Sequence, residues 1–225
     1  MIAEEEIQHF DTSEFKESLK LYESSFPPNE TRPVGKVVEM LKNDENYHLY
    51  ISLDHNEVVG ISLMYAFRSL SIGLLDYLAV DPDYRGSGIG KKLFKFTLEK
   101  FKSNTANGIG ILIEVQRENV VDVREKNLRE RRIRFYTRIG AKIMDGVNYI
   151  LPPIHDGSSS EEMYLMIRPL GELHWLSKES VLRYIQAIYS TIYQYQEKDL
   201  LSIISQKLPS RINLSNMVNW NGSSS

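Results

Sequence analysis

The sequence contains no cysteine at any of its 225 positions. This absence excludes disulfide bonds, a cysteine nucleophile, cysteine-ligated zinc and iron–sulfur clusters. Long apolar runs are also missing, since no stretch approaches the roughly 18 residues that a membrane-spanning helix needs. The opening MIAEEEIQHF is acidic and lacks the basic region and apolar run of a secretion signal. We therefore expect a soluble, cytoplasmic protein.

The sequence also lacks a strong charge of either sign. Lysine and arginine number 27 against 30 aspartates and glutamates, and the net charge is −3. This balance gives no global electrostatic reason to expect nucleic acid or a membrane surface as a partner. The five histidines show no spacing typical of metal ligands, so we predict no metal. A hydrophobic share of 42% is enough for one large domain with a single core.

Apolar periodicity in the first half of the chain indicates a mixed α/β fold. Ile7 to Phe10 reads as a short strand, and two helices follow it on either side of the breaker segment SFPPNETRP. Three extended runs, Tyr47 to Leu53, Glu57 to Phe67 and Ile72 to Val80, predict an antiparallel meander. An amphipathic helix then leads into a strand over Ile109 to Gln116, which implies a parallel crossover.

The second half predicts a helix, two strands and a helical end. The helix covers Val120 to Ile139, and the strands cover Lys142 to Leu151 and Met163 to Arg168. We place a domain boundary after residue 170, with residues 171–225 forming a C-terminal helical extension with a disordered tail. That extension carries an apolar stripe that either packs on the domain or forms a homodimer contact. The stripe consists of Val181, Ile185, Ile188, Ile192 and Tyr195.

The segment RGSGIGKK, between a buried strand and an amphipathic helix, predicts an anion-binding loop. Backbone N–H groups at a helix N-terminus have no helical partner, and the helix dipole adds positive charge there. A Walker loop is excluded, because Arg85 replaces its first glycine and Lys92 its serine or threonine. A Rossmann fingerprint is excluded as well, because Gly86, Gly88 and Gly90 are spaced by two and a whole meander precedes them.

The stretch LAVDPDYRGSGIG resembles the acetyl-CoA-binding motif of the GNAT acyltransferase superfamily. A second family signature, Phe-Tyr-x-x-x-Gly, is present as Phe135, Tyr136 and Gly140. The order of elements from about Ile7 to Leu170 is also similar to that of the family. The resemblance implies a GNAT fold and an enzyme that transfers an acetyl group from acetyl-CoA directly to a primary amine. The acceptor would be a small molecule or a peptide.

The resemblance also implies roles for individual residues. Tyr136 would be the general acid and Glu114 the general base, with Asp76 or a water as alternative bases and His155 and Asp156 as weaker ones. A backbone N–H at a bulge around Leu78 to Val80 would polarise the thioester carbonyl. The residues expected to contact acetyl-CoA are Leu78, Ala79, Val80, Arg85, Gly86, Ser87, Gly88, Ile89, Gly90, Lys91 and Asn119.

The acceptor is expected between the SFPPNETRP and PPIHDGSSSEE loops, because both flank the cleft in the family fold. Glu30 and Arg32 are the candidate substrate contacts in the first of these loops. A competing interpretation is a non-catalytic acyl-CoA-binding or regulatory protein on the same fold. Tyr136 and Glu114 favour the enzyme, since a protein that only binds needs neither.

Overall fold

The computed structural model describes residues 2–27, 30–154, 159–195 and 198–216. The described residues form ten strands and six α-helices, and the chain divides into two compact units. Unit 1 comprises Met1–Ile111 and Pro153–Ser159, and unit 2 comprises Leu112–Pro152 and Ser160–Ser225. The strands include antiparallel pairs and one parallel pair. The mixed α/β fold predicted from the sequence is therefore confirmed. His155 and Asp156 lie outside the described residues. Of the tail SNMVNWNGSSS, which the sequence predicts to be disordered, residues 217–225 also lie outside them, whereas Ser215 is the last residue of a strand.

Unit 1 is built on four strands that pair antiparallel in chain order: β1 (Ala3–Glu6), β2 (Tyr47–Asp54), β3 (Glu57–Phe67) and β4 (Ile72–Val80). The predicted meander, β2 to β4, is confirmed. The first strand lies four residues earlier than the predicted strand over Ile7 to Phe10. An edge strand needs no apolar run, and in β1 the Glu6 carboxylate instead contacts His48 and Lys100.

Three helices pack against this meander: α1 (Ser13–Ser25), α2 (Val34–Asn43) and α3 (Ile89–Asn104). The N-cap of helix α1 is Thr12, whose hydroxyl accepts a hydrogen bond from the Phe15 backbone N–H. Strand β3 is buried from Val59 to Phe67, because both α1 and α3 pack against it. Helix α3 buries one face at helical spacing, made of Ile89, Leu93, Phe94, Thr97 and Phe101.

Unit 2 begins inside β5 (Gly110–Gln116), which is followed by α4 (Val123–Arg138). The predicted strand over Lys142 to Leu151 is wrong, because Val147 donates to the Met144 carbonyl and turns the chain there. Two short strands result, β6 (Lys142–Met144) and β7 (Tyr149–Leu151), and both pair antiparallel with β8 (Glu161–Pro169).

The C-terminal segment contains strands as well as the helices that the sequence predicts. It forms β9 (Trp175–Ser177), α5 (Lys178–Ala187), α6 (Lys198–Lys207) and β10 (Arg211–Ser215). Strand β10 pairs antiparallel with both β6 and β9, and thereby joins the sheet of unit 2. Nothing in the sequence around these short strands distinguishes them from loop.

The apolar stripe of this segment lies inside unit 2. Val181, Ile185, Ile188 and Ile192 are at most 2% exposed in the single chain. A homodimer would therefore need a surface other than these four side chains. None of the helices in the described residues is long and apolar enough to cross a bilayer.

A buried ion pair in unit 1 ties the segment between α1 and α2 to β4. The Arg32 guanidinium bonds the Asp76 carboxylate, and the two side chains are 8% and 2% exposed. Tyr47 donates its hydroxyl to the same carboxylate at 2.5 Å. Burial raises the pKa of the Asp76 carboxyl, and the Arg32 guanidinium opposes that rise. On its other side, the Arg32 carbonyl accepts the Tyr22 hydroxyl at 3.0 Å.

We expect Asp76→Ala to lower the free energy of unfolding by about 3–5 kcal/mol, because it leaves the Arg32 charge buried without its carboxylate. Urea unfolding measures this change. Glu39→Ala is the control, since it breaks the exposed Lys36–Glu39 pair at 3.1 Å and should cost only about 0–1 kcal/mol. Equal losses in the two variants would contradict the structural role of the buried pair.

Candidate functional site

The glycine-rich loop of unit 1 connects the end of β4 to the start of α3. Gly86 and Gly88 have φ values of +83° and +88°, which L-residues with side chains rarely adopt. A Cβ added at either glycine would meet no heavy atom within 4 Å, so there is open space beside the backbone. The Arg85 side chain donates to the Val80 carbonyl at 3.0 Å, and the Ser87 hydroxyl donates to the Tyr84 carbonyl at 2.5 Å. These two bonds hold the exposed loop in a defined conformation.

The N-terminus of α3 suits an anion. Its N-cap is Gly88, which has no side chain to accept hydrogen bonds from the first helical amides. The first turn carries Lys91 and Lys92, both exposed, and no acidic residue. The helix dipole adds partial positive charge at this end. Amides, dipole and lysines together favour a phosphate or pyrophosphate group.

The bulge in β4 lies at Asp76 and not around Leu78 to Val80, where the sequence-based prediction put it. Leu63 of β3 pairs with Tyr77 and Met64 pairs with Leu75, so Asp76 is the extra residue. The carboxylate of Asp76 bonds Arg32 and Tyr47. Leu78, Ala79 and Val80 continue in regular pairing with β3 as far as the glycine loop.

The two candidate substrate contacts lie between α1 and α2. Glu30 is half-buried, and its carbonyl accepts the Tyr77 hydroxyl at 3.4 Å. Arg32 is buried in the ion pair with Asp76, and its backbone N–H donates to the Tyr77 hydroxyl at 3.2 Å. Of the two, Glu30 has the more accessible side chain.

Both carboxylate oxygens of Glu114, on β5 of unit 2, accept a tyrosine hydroxyl. Tyr149 of β7 donates to Oε1, and Tyr193, which follows α5, donates to Oε2 at 2.7 Å. Burial and the Glu114 charge raise the pKa of Tyr149 well above its usual range, so its hydroxyl stays a donor at neutral pH. Sequence reasoning missed both tyrosines. They are 35 and 79 positions away from Glu114, and no local pattern marks them.

Tyr136 lies in the last turns of α4 and is half-buried. Its ring packs edge-on against Phe135 with 5.1 Å between the ring centroids. Burial raises the pKa of Tyr136 to about 12, although the positive charge of Arg132 acts against this rise. The phenol is therefore protonated at neutral pH and available as a proton donor. Asn119 is exposed in the connection between β5 and α4.

Gly140 ends α4 in a Schellman motif. Ala141 N–H donates to the Tyr136 carbonyl at 3.0 Å and Gly140 N–H to the Thr137 carbonyl at 3.0 Å. Gly140 has a φ of +87°, and a Cβ there would lie 3.1 Å from Nε of Arg168. The Phe-Tyr-x-x-x-Gly signature thus has a physical reason, since its glycine ends the helix that carries the tyrosine.

Comparisons with known proteins agree with this geometry. Residues 45–140 match the family model of the acetyltransferase (GNAT) domain. A putative GNAT acetyltransferase from Bacteroides thetaiotaomicron is 25% identical, with a TM-score of 0.70 over 86% of this chain and 99% of that one. Residues 45–140 of this chain therefore form a GNAT acetyltransferase domain. None of the curated proteins matches it significantly.

More distant GNAT structures share the fold. The ribosomal-protein-S18-alanine N-acetyltransferase of Escherichia coli is 17% identical, with a TM-score of 0.55 over 77% of this chain and 96% of that one. A GNAT acetyltransferase from Staphylococcus aureus Mu50 is 16% identical, with a TM-score of 0.54 over 76% of this chain and 100% of that one. At these identities the likeness concerns the fold alone.

Two arginines of α4, Arg129 and Arg132, are partly buried and have hydrogen-bond partners. Arg129 is 13% exposed and bonds Glu125 at 2.7 Å and Glu161 at 3.0 Å. Arg132 donates to the Gln116 side-chain oxygen at 2.5 Å. Within unit 2 these bonds hold α4 in place, and so they fix the helix that carries the candidate acid.

We expect Gly140→Ala to lower the free energy of unfolding of this protein by about 1–2 kcal/mol, because an alanine must adopt a left-handed conformation there. Chemical denaturation measures the change. Gly171→Ala is the control, since it adds a methyl group in open space, and it should change stability by less than about 0.5 kcal/mol. An unchanged stability of Gly140→Ala would contradict the capping role.

Proposed function

We propose that this GNAT protein transfers an acetyl group from acetyl-CoA directly to a primary amine. The observation that carries the proposal is the exposed loop from Gly86 to Lys91 at the N-terminus of α3. Open space beside Gly86 and Gly88 fits close approach of a pyrophosphate to the backbone. Acetyl-CoA supplies the activated thioester. Direct transfer needs no enzyme nucleophile, and the sequence has no cysteine to serve as one.

Glu114 is the proposed general base that removes a proton from the amine, either directly or through a water. A general base must be ionised and correctly oriented before it accepts a proton. Hydrogen bonds donated to a carboxylate stabilise its ionised form and fix its rotamer. The two tyrosine hydroxyls on Glu114 are such donors. Asp76, the alternative base, is 2% exposed and paired with Arg32, which makes it less suited to proton exchange.

Tyr136 is the proposed general acid that returns a proton to the departing thiolate. A general acid must be protonated before the step in which it acts. A pKa of about 12 keeps the Tyr136 phenol protonated over the whole physiological range. No loss of activity from ionisation of this group is therefore expected below about pH 11.

The acceptor is proposed to contact the segment between α1 and α2. Glu30 would attract a positively charged acceptor amine, whereas Arg32, held by Asp76, would fix the segment's conformation. The Escherichia coli neighbour is named for its action on an alanine of ribosomal protein S18, but at 17% identity the likeness does not extend to the acceptor here. The proposed acceptor class is therefore a small-molecule or peptide amine, in the cytoplasm.

We predict that Gly88→Trp weakens CoA binding more than about tenfold, because the indole fills the space beside the loop amides. Isothermal titration calorimetry with CoA measures the affinity, and thermal unfolding shows whether the variant is folded. Gly171→Trp adds the same side chain in open space elsewhere and should bind CoA like the wild type. Unchanged affinity in a folded Gly88→Trp variant would show that the loop does not bind CoA.

We predict that Tyr136→Phe lowers kcat about 100-fold or more and leaves CoA binding unchanged, because only the proton donor is lost. Acetyl-CoA turnover against a panel of primary amines measures the effect. Tyr184→Phe is the matched control, since it removes a buried hydroxyl from a helix outside the proposed site.

Two other outcomes are informative. Turnover by Tyr136→Phe at the wild-type rate would remove this residue from the mechanism. Tight CoA binding by the wild-type protein without turnover of any amine would favour the non-catalytic acyl-CoA-binding protein.

A further inference from the structure

The C-terminal segment reaches Glu114 through an unusual end of helix α5. After Ala187 the helix continues as a π-helical turn over Ile188–Ile192. Helical turns of this wide type are rare and occur frequently at functional sites. The next residue, Tyr193, donates its N–H to the Ile188 carbonyl at 3.4 Å and its hydroxyl to Glu114 at 2.7 Å. The backbone of the turn thus aims one tyrosine at the carboxylate.

The same turn is anchored by a second tyrosine. Tyr189 is 3% exposed, and its hydroxyl donates to the Ile150 carbonyl in β7. Its ring lies 5.8 Å from the ring of Tyr149, the other donor to Glu114. Beyond the turn, Tyr195 N–H donates to the Tyr189 carbonyl at 2.9 Å. The backbone at Tyr193 is therefore held by the contacts of Tyr189 before it and of Tyr195 after it.

We propose that Tyr193 is a positioning residue for the general base, supplied by the C-terminal segment, and that it acts together with Tyr149 to hold the Glu114 carboxylate ionised and in one rotamer. This inference rests on the proposed function, in which Glu114 is the base. The C-terminal segment is then part of the catalytic machinery of the enzyme. It does not merely cover the sheet of unit 2.

The direction of the effect follows from hydrogen-bond chemistry. A hydroxyl that donates to an ionised carboxylate forms a stronger hydrogen bond than one that donates to a protonated carboxyl group. The donor therefore stabilises the ionised form. Each oxygen of Glu114 accepts a hydrogen bond from one tyrosine hydroxyl. The titratable groups that face Glu114 include the phenols of Tyr149, Tyr193 and Tyr189. Removal of a donor should therefore allow the carboxyl to remain protonated to a higher pH.

The test is the pH dependence of Tyr193→Phe, which removes the hydroxyl and keeps the ring. We expect the acidic limb of kcat/KM to move to higher pH by about one unit, with the KM for acetyl-CoA unchanged. Tyr149→Phe removes the other donor and should move the limb in the same direction. Tyr184→Phe is the matched control, because it removes a buried hydroxyl from α5 of the same C-terminal segment, away from Glu114. The limb should not move in this control, even if its thermal stability falls.

A second readout does not depend on turnover. Infrared titration of the carboxylate band, taken as wild type minus Glu114→Gln, gives the ionisation midpoint of Glu114 directly. The inference predicts that this midpoint rises in Tyr193→Phe. An unchanged midpoint in a folded Tyr193→Phe variant would overturn it. Full activity of Glu114→Gln would overturn the proposed function instead, so the two failures are distinguishable.

Discussion

In both units of this protein, a carboxylate that is shielded from water needs hydrogen-bond donors or a cation beside it. An ionised carboxylate in a protein interior is costly unless donors or a cation surround it. Unit 1 surrounds Asp76 with the Arg32 guanidinium and the Tyr47 hydroxyl, and unit 2 surrounds Glu114 with two tyrosine hydroxyls. The two solutions differ in kind. A paired charge fixes structure, whereas a carboxylate that accepts hydrogen bonds from neutral hydroxyls can still exchange a proton.

Glycines with left-handed backbone conformations lie at the N-terminus of α3 and at the C-terminus of α4, the two helices of the proposed site. Gly88 begins α3 without a side chain, and so the amides of the first turn are left for a ligand. Gly140 ends α4 and lets the backbone satisfy its own last carbonyls. The same conformational freedom therefore opens one helix terminus to an anion and closes another.

Local sequence patterns predicted the elements whose stability is local. The meander, the glycine loop, the helix α3 after it and the helix with Tyr136 follow from alternation, helical spacing and turn residues. Three short strands, β1, β9 and β10, form because each has a partner strand to pair with. A segment of three to five residues carries no local signal that such a partner is available. The residues of β1 are even mostly acidic.

The candidate site was predictable to a similar degree. The sequence indicated the loop glycines, Glu114 and Tyr136, because each belongs to a short motif or an unusual apolar context. It could not indicate which residues contact them, since these contacts join positions far apart in the chain. The partners of Arg129 and Arg132 could not be predicted for the same reason, because a charged helix gives no sign of which of its charges bond other elements.

The topology of the strands also orders events during synthesis of the chain. The strands β1 to β4 pair in chain order within the first 80 residues, so a nascent chain can assemble them early. In unit 2, the pairing of β6 with β10 and the hydrogen bond from Tyr193 to Glu114 join residues far apart in sequence. Such contacts form slowly, because a long loop must close first. A nascent chain would thus complete its glycine loop well before the hydrogen bond between Tyr193 and its proposed base can form.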